Sequence, residues 1–264
     1  MKGLTMIPVQ KNLRSAAGFT LVELAIVMII IGLLIAGVLK GQALIANAQV
    51  TATVAQLKAV DAATTTFKDT YNALPGDITS PTTKLPNCAA GTLCASAGDG
   101  NGIIANTPGA TPIATEGERF FVHLNNASLI TGIVPAAAGS LAVGANFPAT
   151  KIANNVLMDG GTAAGQAADF TSMIGGGTGS SGTYLVIASK IQAPGAGNVG
   201  LAPDQALRID TKLDDGVPDT GQVLAFGTAG AGVTNCGQAS AAGVAGTYTT
   251  STSQATCGLY VHIQ

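Results

Sequence analysis

The side chain that most needs a chemical explanation is Glu23, the one charged residue in an apolar run over residues 19–39 (FTLVELAIVMIIIGLLIAGVL). The run ends at Lys40. A carboxylate inside a membrane-spanning helix costs roughly 2.5–3.5 kcal/mol and persists mainly where it has a partner. We therefore expect Glu23 to have a specific partner.

Four cysteines form two local sets, Cys88 with Cys94 and Cys236 with Cys257. Neither set has the spacing of a zinc site, and the two histidines of the chain lie far apart in sequence. In an exported protein an even number of cysteines indicates disulfides. Of the three connectivities that four cysteines allow, we favour 88–94 and 236–257, because both loops close locally. The alternative is four small buried thiols.

Four aspartates lie between residues 209 and 221, namely Asp210, Asp214, Asp215 and Asp219. Carboxylate oxygens at loop spacing beside Gly216 are suitable ligands for calcium. The spacing is not that of an EF-hand, and Asp, Gly and Pro also serve the backbone geometry of tight turns. We favour a turn here and at residues 97–102 (AGDGNG). Calcium is kept as the alternative, and no other cofactor is expected.

The composition argues against catalysis and against nucleic-acid binding. The chain has 264 residues, of which 47% are hydrophobic and only 10% charged. It contains no motif for a catalytic triad, a phosphate-binding loop or a zinc protease, so we predict that it is not an enzyme. A nucleic-acid interface needs clustered basic side chains. No such cluster follows residue 18, so nucleic acid is not an expected partner.

The apolar run has the length of a membrane-spanning helix. At 1.5 Å per residue, residues 19–39 form a helix roughly 31 Å long, which is enough to cross the hydrocarbon core. Lys2, Lys11 and Arg14 precede the run without any acidic residue. The positive-inside rule therefore places the N-terminus in the cytoplasm and the residues after Lys40 outside. The sequence predicts one crossing and an exported body.

Three interpretations of this run compete. It is a permanent signal anchor, a secretory signal cut after Ala48, or the start of a longer helix that is kept after processing. Residues 46–48 (ANA) fit the small-x-small cleavage pattern. That site lies beyond Lys40, however, and the run is longer than a usual signal core of about 7–15 residues.

Residues 18–24 (GFTLVEL) resemble the prepilin processing motif of type IV pilins and type II secretion pseudopilins, with a basic leader before them and an apolar helix after them. The resemblance implies that a prepilin peptidase cuts between Gly18 and Phe19 and that the new amino group of Phe19 is methylated. It also implies a precursor in the bacterial inner membrane that later joins a periplasmic or cell-surface filament. The expected partner of Glu23 is then the amine of Phe19 in a neighbouring subunit.

The function that this resemblance implies is that of a structural subunit of a type IV pilus-like filament. The subunit would assemble through its N-terminal helix with other pilins at an inner-membrane assembly platform. The alternative is a pseudopilin of a type II secretion system, which acts in protein export. Many family members have a helix-bending proline soon after the apolar run, where this chain has Lys40. We expect Gly32, Gly37 and Gly41 to loosen the helix instead.

The helix is predicted to continue beyond the membrane. Residues 41–73 contain no proline, and apolar or semi-apolar side chains recur every three or four residues. They are Val50, Val54, Leu57, Val60, Thr64, Phe67, Tyr71 and Leu74. This spacing is typical of one face of an amphipathic helix, and Pro75-Gly76 ends it. We therefore predict one helix from Phe19 to about Ala73.

The predicted fold class is α+β and pilin-like, because pilin heads set an antiparallel β-sheet against the amphipathic half of such a helix. The predicted domains are a leader (1–18), a transmembrane helix (19–40), its amphipathic continuation (41–74) and an extracytoplasmic head (75–264). We predict loops to about residue 115 and then a short helix over Glu116–Leu129. The expected strands are Thr183–Ile187, Gly221–Phe226 and Gly258–Ile263. The Cys236–Cys257 set resembles the disulfide-bounded loop near the C-terminus of many pilins.

Overall fold

The computed structural model describes residues 19–105, 116–134, 142–144, 146–152, 155–162, 182–189, 199–227, 235–241 and 243–263. The chain forms two compact units, Met1–Ile45 and Ala46–Gln264. The predicted leader, including Gly18, lies outside the described residues.

The longest element is helix α1, which covers Leu21–Tyr71. It contributes residues 21–45 to the first unit and residues 46–71 to the second. The predicted bounds, Phe19 to about Ala73, are therefore confirmed to within two residues. Asn72 follows the helix with a positive φ of 51°, a left-handed conformation that commonly ends helices.

In the first unit, α1 is apolar on all sides. Every large apolar side chain from Phe19 to Ile45 is between 46% and 91% exposed. By length and composition α1 contains a segment that is able to cross a membrane. A helix suits that environment because all its interior backbone groups are hydrogen-bonded within the segment.

In the second unit, α1 has one buried face. Its buried side chains recur at steps of three or four residues and pack into the core of the unit. They are Val50, Thr53, Val54, Leu57, Val60, Ala63, Thr64 and Phe67. The amphipathic pattern that the sequence predicts is therefore confirmed, and Phe67 is completely buried.

Shorter helices follow in the described part of the second unit. They are α2 (Pro81–Lys84), a 3₁₀ helix (Leu93–Ala95), α3 (Glu116–Asn126) and α4 (Pro203–Leu213). Two carboxylates, Glu116 and Glu118, lie in the first turn of α3, where negative charge favours a helix. Pro203 occupies the first turn of α4, a position that tolerates proline because its missing N–H would have no helical acceptor.

The main sheet has four antiparallel strands in the order β1-β2-β6-β3. The strands are β1 (Val156–Thr162), β2 (Thr183–Ala188), β3 (Val223–Gly227) and β6 (Cys257–His262). A separate two-stranded ribbon joins β4 (Gly237–Gln238) to β5 (Thr247–Tyr248). In the main sheet Tyr184 pairs with His262, and Val223 with Val261.

Two strands of the main sheet, β2 and β3, are buried along their whole length. All residues of β2 and β3 are buried, which explains why these strands are apolar runs without alternation. Aromatic pairs link neighbouring elements, for example Phe226 with Tyr260 at 5.1 Å between ring centroids. The strands and the buried face of α1 belong to one hydrophobic cluster.

The predicted α+β class is confirmed, and three of the predicted strands match β2, β3 and β6. Several details of the sequence prediction are wrong. The region from residue 75 contains α2 and a 3₁₀ helix, and α3 ends at Asn126 rather than Leu129. Strand β1 and helix α4 were not predicted. Helix α4 includes Asp210, which the sequence analysis assigned to a turn.

Candidate functional site

Helix α1 begins with a reciprocal pair of hydrogen bonds between Thr20 and Glu23. The backbone N–H and the hydroxyl of Thr20 donate to Glu23 Oε2 at 2.9 Å and 2.8 Å. In return the backbone N–H of Glu23 donates to the hydroxyl oxygen of Thr20 at 3.3 Å. The first helical bond runs from the N–H of Leu24 to the carbonyl of Thr20, which makes Thr20 the N-cap.

This arrangement is a capping box, and the sequence analysis missed it. The Thr-x-x-Glu pattern before an apolar run is its usual sequence signal. The box supplies acceptors for backbone N–H groups at the helix start, which have no acceptor within the helix. An N–H group without an acceptor is more costly in hydrocarbon than in water. Glu23 therefore has an intramolecular partner in Thr20, in addition to any partner in another subunit.

Both hydrogen bonds that Thr20 donates to Glu23 end on the same carboxylate oxygen, Oε2. Among the described residues, no donor contacts Glu23 Oε1. Glu23 is exposed, as are its neighbours Leu21 and Val22.

Phe19, the predicted first residue after processing, is 85% exposed and directly precedes the capping box. Gly18, on the other side of the predicted cleavage site, lies outside the described residues. Cleavage between them would leave the capping box intact, because Thr20 and Glu23 both lie on the retained side. A free amine at Phe19 would be one residue from the N-cap.

The structure joins Cys88 to Cys94 and Cys236 to Cys257, the two pairings that the sequence favours. The Cα atoms are 5.4 Å and 4.9 Å apart, which is within the usual range for disulfides. The second disulfide spans β4 and β5, so it closes a loop at the C-terminal end of the head.

The predicted calcium residue Asp210 is completely buried on α4. Its Oδ1 accepts the backbone N–H of Gly216 at 3.1 Å, and its Oδ2 accepts the hydroxyl of Tyr248 at 2.8 Å. Burial raises the pKa of Asp210 to about 7, although both hydrogen bonds act in the opposite direction. Asp210 therefore fastens α4 to the disulfide loop at Tyr248.

The other three predicted aspartates also accept hydrogen bonds from the chain. The pairs are Asp214 with Gln222, Asp215 with Val217 and Thr220, and Asp219 with Ser240. Oxygens of Asp210, Asp214 and Asp215 lie within 4.8 Å of one another, a spacing suitable for a metal ion. Asp219 is not part of that group. These bonds suit the turn that the sequence analysis favours for the three residues, and calcium at this place stays the untested alternative.

A polar network that the sequence analysis missed surrounds the segment 96–105. Asp77 is buried, and its two oxygens accept the backbone N–H groups of Gly100 at 2.6 Å and Gly102 at 2.8 Å. Burial raises the pKa of Asp77, while these two bonds lower it. Glu116 likewise accepts the N–H of Asp99 at 3.0 Å. These three acidic residues place oxygens within 4.8 Å of one another.

Helix α3 holds the same region through two further side chains. Arg119 donates to the carbonyl of Ala97 at 2.6 Å. His123 is buried, accepts the backbone N–H of Gly76 at Nδ1 and donates from Nε2 to the carbonyl of Cys94. Burial lowers the pKa of His123 to about 4, so the ring is neutral at physiological pH. The network is a structural clamp, since each of these side chains is engaged with the backbone.

Comparison with protein families matches residues 13–39 to the prokaryotic N-terminal methylation motif. The matched segment contains Gly18, Phe19, Thr20 and Glu23, so the capping box lies within the motif. Searches of curated proteins and of solved structures found no match.

Proposed function

We propose that this chain, which carries the N-terminal methylation motif that is the signature of type IV pilins and pseudopilins, is a structural subunit of a type IV pilus-like filament. The observation that carries the proposal is the position of this motif at the start of a helix whose large apolar side chains are all exposed from Phe19 to Ile45. An apolar surface of this extent needs lipid or other protein around it. In the precursor, the lipid of the inner membrane would cover this surface. In the filament, neighbouring subunits would cover it.

The proposal assigns processing to Gly18 and Phe19. A prepilin peptidase removes the basic leader on the cytoplasmic side, and the amine of Phe19 is methylated. The amine of one subunit then pairs with the Glu23 carboxylate of its neighbour as each subunit leaves the membrane at the assembly platform. In a water-poor environment this pairing is favoured because it leaves neither charge isolated.

The N-terminus of the mature protein tests this route. We expect intact-mass measurement and N-terminal sequencing to find a chain that begins at methylated Phe19. A chain that begins at Gln49 would show an ordinary secretory signal and would overturn the proposal. A chain that retains the leader would show a permanent anchor and would overturn it as well.

A pseudopilin of a type II secretion system is the second candidate, because such proteins carry the same motif. The disulfide loop at the C-terminal end, closed by Cys236 and Cys257, favours the pilin. Deletion of the gene distinguishes the two functions. Loss of surface filaments with normal protein export indicates a pilin, and loss of export with normal filaments indicates a pseudopilin.

We propose no catalytic role for the chain. In the part that the structure describes, the buried polar side chains around α3 are bound to backbone groups of the segment that they hold. We place the body outside the cytoplasm, because the basic residues Lys2, Lys11 and Arg14 precede the apolar helix. The two disulfides agree with an oxidising compartment.

A further inference from the structure

The segment 97–102 (AGDGNG) contains two chemically labile steps of the backbone, Asp99-Gly100 and Asn101-Gly102. Asn101-Gly102 is the only Asn-Gly step in the chain. A glycine after asparagine or aspartate makes the step labile, because it has no side chain to hinder cyclisation of the residue before it. All four residues are exposed, so burial does not keep water from them. Any protection must come from the way in which the segment is held.

The reaction at Asn101 begins at the backbone nitrogen of Gly102. This nitrogen attacks Cγ of Asn101, a new N–Cγ bond forms, and the Cγ–Nδ2 bond breaks. The N–H proton leaves with the side-chain amide as ammonia, and water then opens the succinimide ring to aspartate or isoaspartate. At Asp99 the nitrogen of Gly100 attacks in the same way, but water leaves in place of ammonia and later reopens the ring. Both reactions need a glycine nitrogen that is free to turn towards the preceding side chain.

One carboxylate holds both of these glycine nitrogens. Asp77 Oδ1 accepts the N–H of Gly100 at 2.6 Å, and Asp77 Oδ2 accepts the N–H of Gly102 at 2.8 Å. Asp77 is buried, which keeps the carboxylate in one place under the exposed segment. Either nitrogen must therefore leave Asp77 before it is able to attack the side chain that precedes it.

The side chain of Asn101 is held as well. Its Nδ2 donates to Asp99 Oδ2 at 2.8 Å, and its Oδ1 accepts the N–H of Ile103 at 2.7 Å. The amide that would leave and the carbonyl that would be attacked are thus both engaged elsewhere. Gly102 has a positive φ of 79°, a conformation that favours glycine. The turn therefore needs glycine after Asn101, and the labile step comes with it.

A third labile step, Asp215-Gly216, is held in the same way. The N–H of Gly216 donates to Oδ1 of Asp210, which is completely buried. The sequence has one more step of this kind, Asp159-Gly160, and it lies in strand β1. A buried carboxylate on the glycine nitrogen is therefore common to the three steps that lie outside helices and strands.

We propose that Asp77 protects residues 99–102 from cyclisation, by binding the two glycine nitrogens on which the reaction depends. The segment is accordingly a latent site of deamidation and isomerisation, which reacts when the carboxylate releases it. This inference concerns the head alone and does not depend on the proposed function. It differs from a general tightening of the head, because it requires an acceptor on these two nitrogens in particular.

The test follows the full chain, folded in detergent at mildly alkaline pH, and compares Asp77→Asn with Glu116→Gln. Glu116 is the matched control, because it is also buried and accepts two N–H groups of the same segment, those of Asp99 and Ala105. Neither nitrogen belongs to a glycine that follows Asp or Asn. Each variant exchanges a carboxylate for an amide, which has one oxygen acceptor in place of two. Digestion and mass spectrometry measure the aspartate and isoaspartate that form at residues 99 and 101.

We expect Asn101 to react about tenfold or more slowly in the folded protein than in the same chain unfolded in urea, the scale of one hydrogen bond to a charged group. Asp77→Asn should raise the rate by about tenfold at one or both steps, because its single oxygen holds only one of the two nitrogens well. Glu116→Gln should stay within about twofold of the unchanged protein, because both glycine nitrogens keep their acceptor. Urea unfolding gives the unfolded fraction of each variant, and the share of the rate that passes through that fraction is subtracted.

Equal rates in the folded and unfolded chains would show that the segment is not protected, and would overturn the inference. Equal acceleration in Asp77→Asn and Glu116→Gln would show that any loosening of the segment is enough, and an unchanged rate in Asp77→Asn would show that its carboxylate is not needed. Both of these results overturn the role of Asp77.

Amide hydrogen exchange of the unchanged protein is a second measurement, which decides the question even where Asp77→Asn does not fold. We expect the N–H groups of Gly100 and Gly102 to exchange slowly, and urea below the unfolding transition to speed their exchange and the deamidation of Asn101 in proportion. Fast exchange at Gly102 in the folded head, or deamidation that does not follow this exchange, would contradict the inference.

Discussion

His123 on α3 binds the backbone N–H of Gly76 through Nδ1 at 2.9 Å, and so ties the turn after α1 to a helix 47 residues further along the chain. The other nitrogen of the ring donates to the carbonyl of Cys94 at 3.0 Å. One neutral imidazole therefore connects the end of α1, the first disulfide and α3. Protonation of the ring would add a proton to Nδ1, which could then no longer accept the N–H of Gly76.

The pH dependence of His123 is the first prediction. Its pKa is about 4 in the folded protein and 6.5 in an unstructured chain. The stability that the neutral ring contributes is therefore complete above pH 6.5 and falls as the pH drops towards 4, by up to about 3 kcal/mol. Denaturant unfolding of the mature protein in detergent, followed by circular dichroism, measures this slope. In His123→Gln this contribution should be absent, so that the stability no longer rises with pH between about 4 and 6.5.

The contribution of Asp210 to stability depends on pH in the opposite direction, and it is the second prediction. Its pKa is raised from 3.8 to about 7 in the folded protein, mainly by burial. The stability that its protonated form contributes is complete below pH 3.8 and is lost as the pH rises through 7. Asp210→Asn should remove this loss, because an amide keeps a similar shape without a charge. If the thermal midpoint of Asp210→Asn follows the same pH profile as that of the unchanged protein, the assignment to Asp210 is incorrect.

His123 and Asp210 change the stability of the protein in opposite directions over the same pH range. Between about pH 4 and pH 6.5 the His123 contribution rises with pH while the Asp210 contribution falls. We expect the unchanged protein to show a shallow slope there, and each single variant to reveal the slope of the other residue. Equal profiles for the two single variants would contradict both assignments.

Asp77 is predicted to be important for the stability of the head. Removing its carboxylate leaves the N–H groups of Gly100 and Gly102 without their present acceptor. We expect Asp77→Ala to lower the free energy of unfolding by about 2–4 kcal/mol, because it removes two hydrogen bonds to a carboxylate acceptor. Urea unfolding measures the change, and limited proteolysis should show faster cleavage within residues 96–105. The exposed Asp69 on α1 supplies the control, since Asp69→Ala should change stability by about 0.5 kcal/mol or less.

Calcium is predicted to have little effect on the head. The carboxylates of Asp210 and Asp215 already accept hydrogen bonds from their own chain. We expect the melting temperature to be the same with excess calcium and with a chelator. A clear rise with calcium that disappears in Asp215→Asn would instead establish a metal site at this turn.

The sequence was sufficient for the parts of the fold that rest on local patterns. The buried face of α1 is visible as a spacing of three and four residues from Val50 to Phe67, and the apolar runs of β2 and β6 are visible as strands. These elements bury side chains at regular intervals, and the same intervals are visible as a pattern of apolar residues in the sequence.

The missed elements lack such a pattern. Strand β1 contains Asp159-Gly160-Gly161, residues that usually form turns, and the register of its pairing with β2 shifts between Asp159 and Gly161. On the buried face of helix α4, Asp210 stands where an apolar residue would be expected. The carboxyl group can be buried there because it is hydrogen-bonded to Tyr248. The clamp of Asp77 and His123 joins residues far apart in sequence, so no local pattern indicates it. At Glu23, by contrast, the capping signal was local and was overlooked.

Gly32, Gly37 and Gly41 lie within α1, and a Cβ added at any of them would meet no heavy atom of the described chain within 4 Å. Alanine at each of these positions would make an isolated helix more stable by about 1 kcal/mol. Within the described chain the missing methyl groups therefore avoid no steric clash. If the chain assembles as proposed, these three positions are where the bare backbone of the helix would let a neighbouring chain come closest.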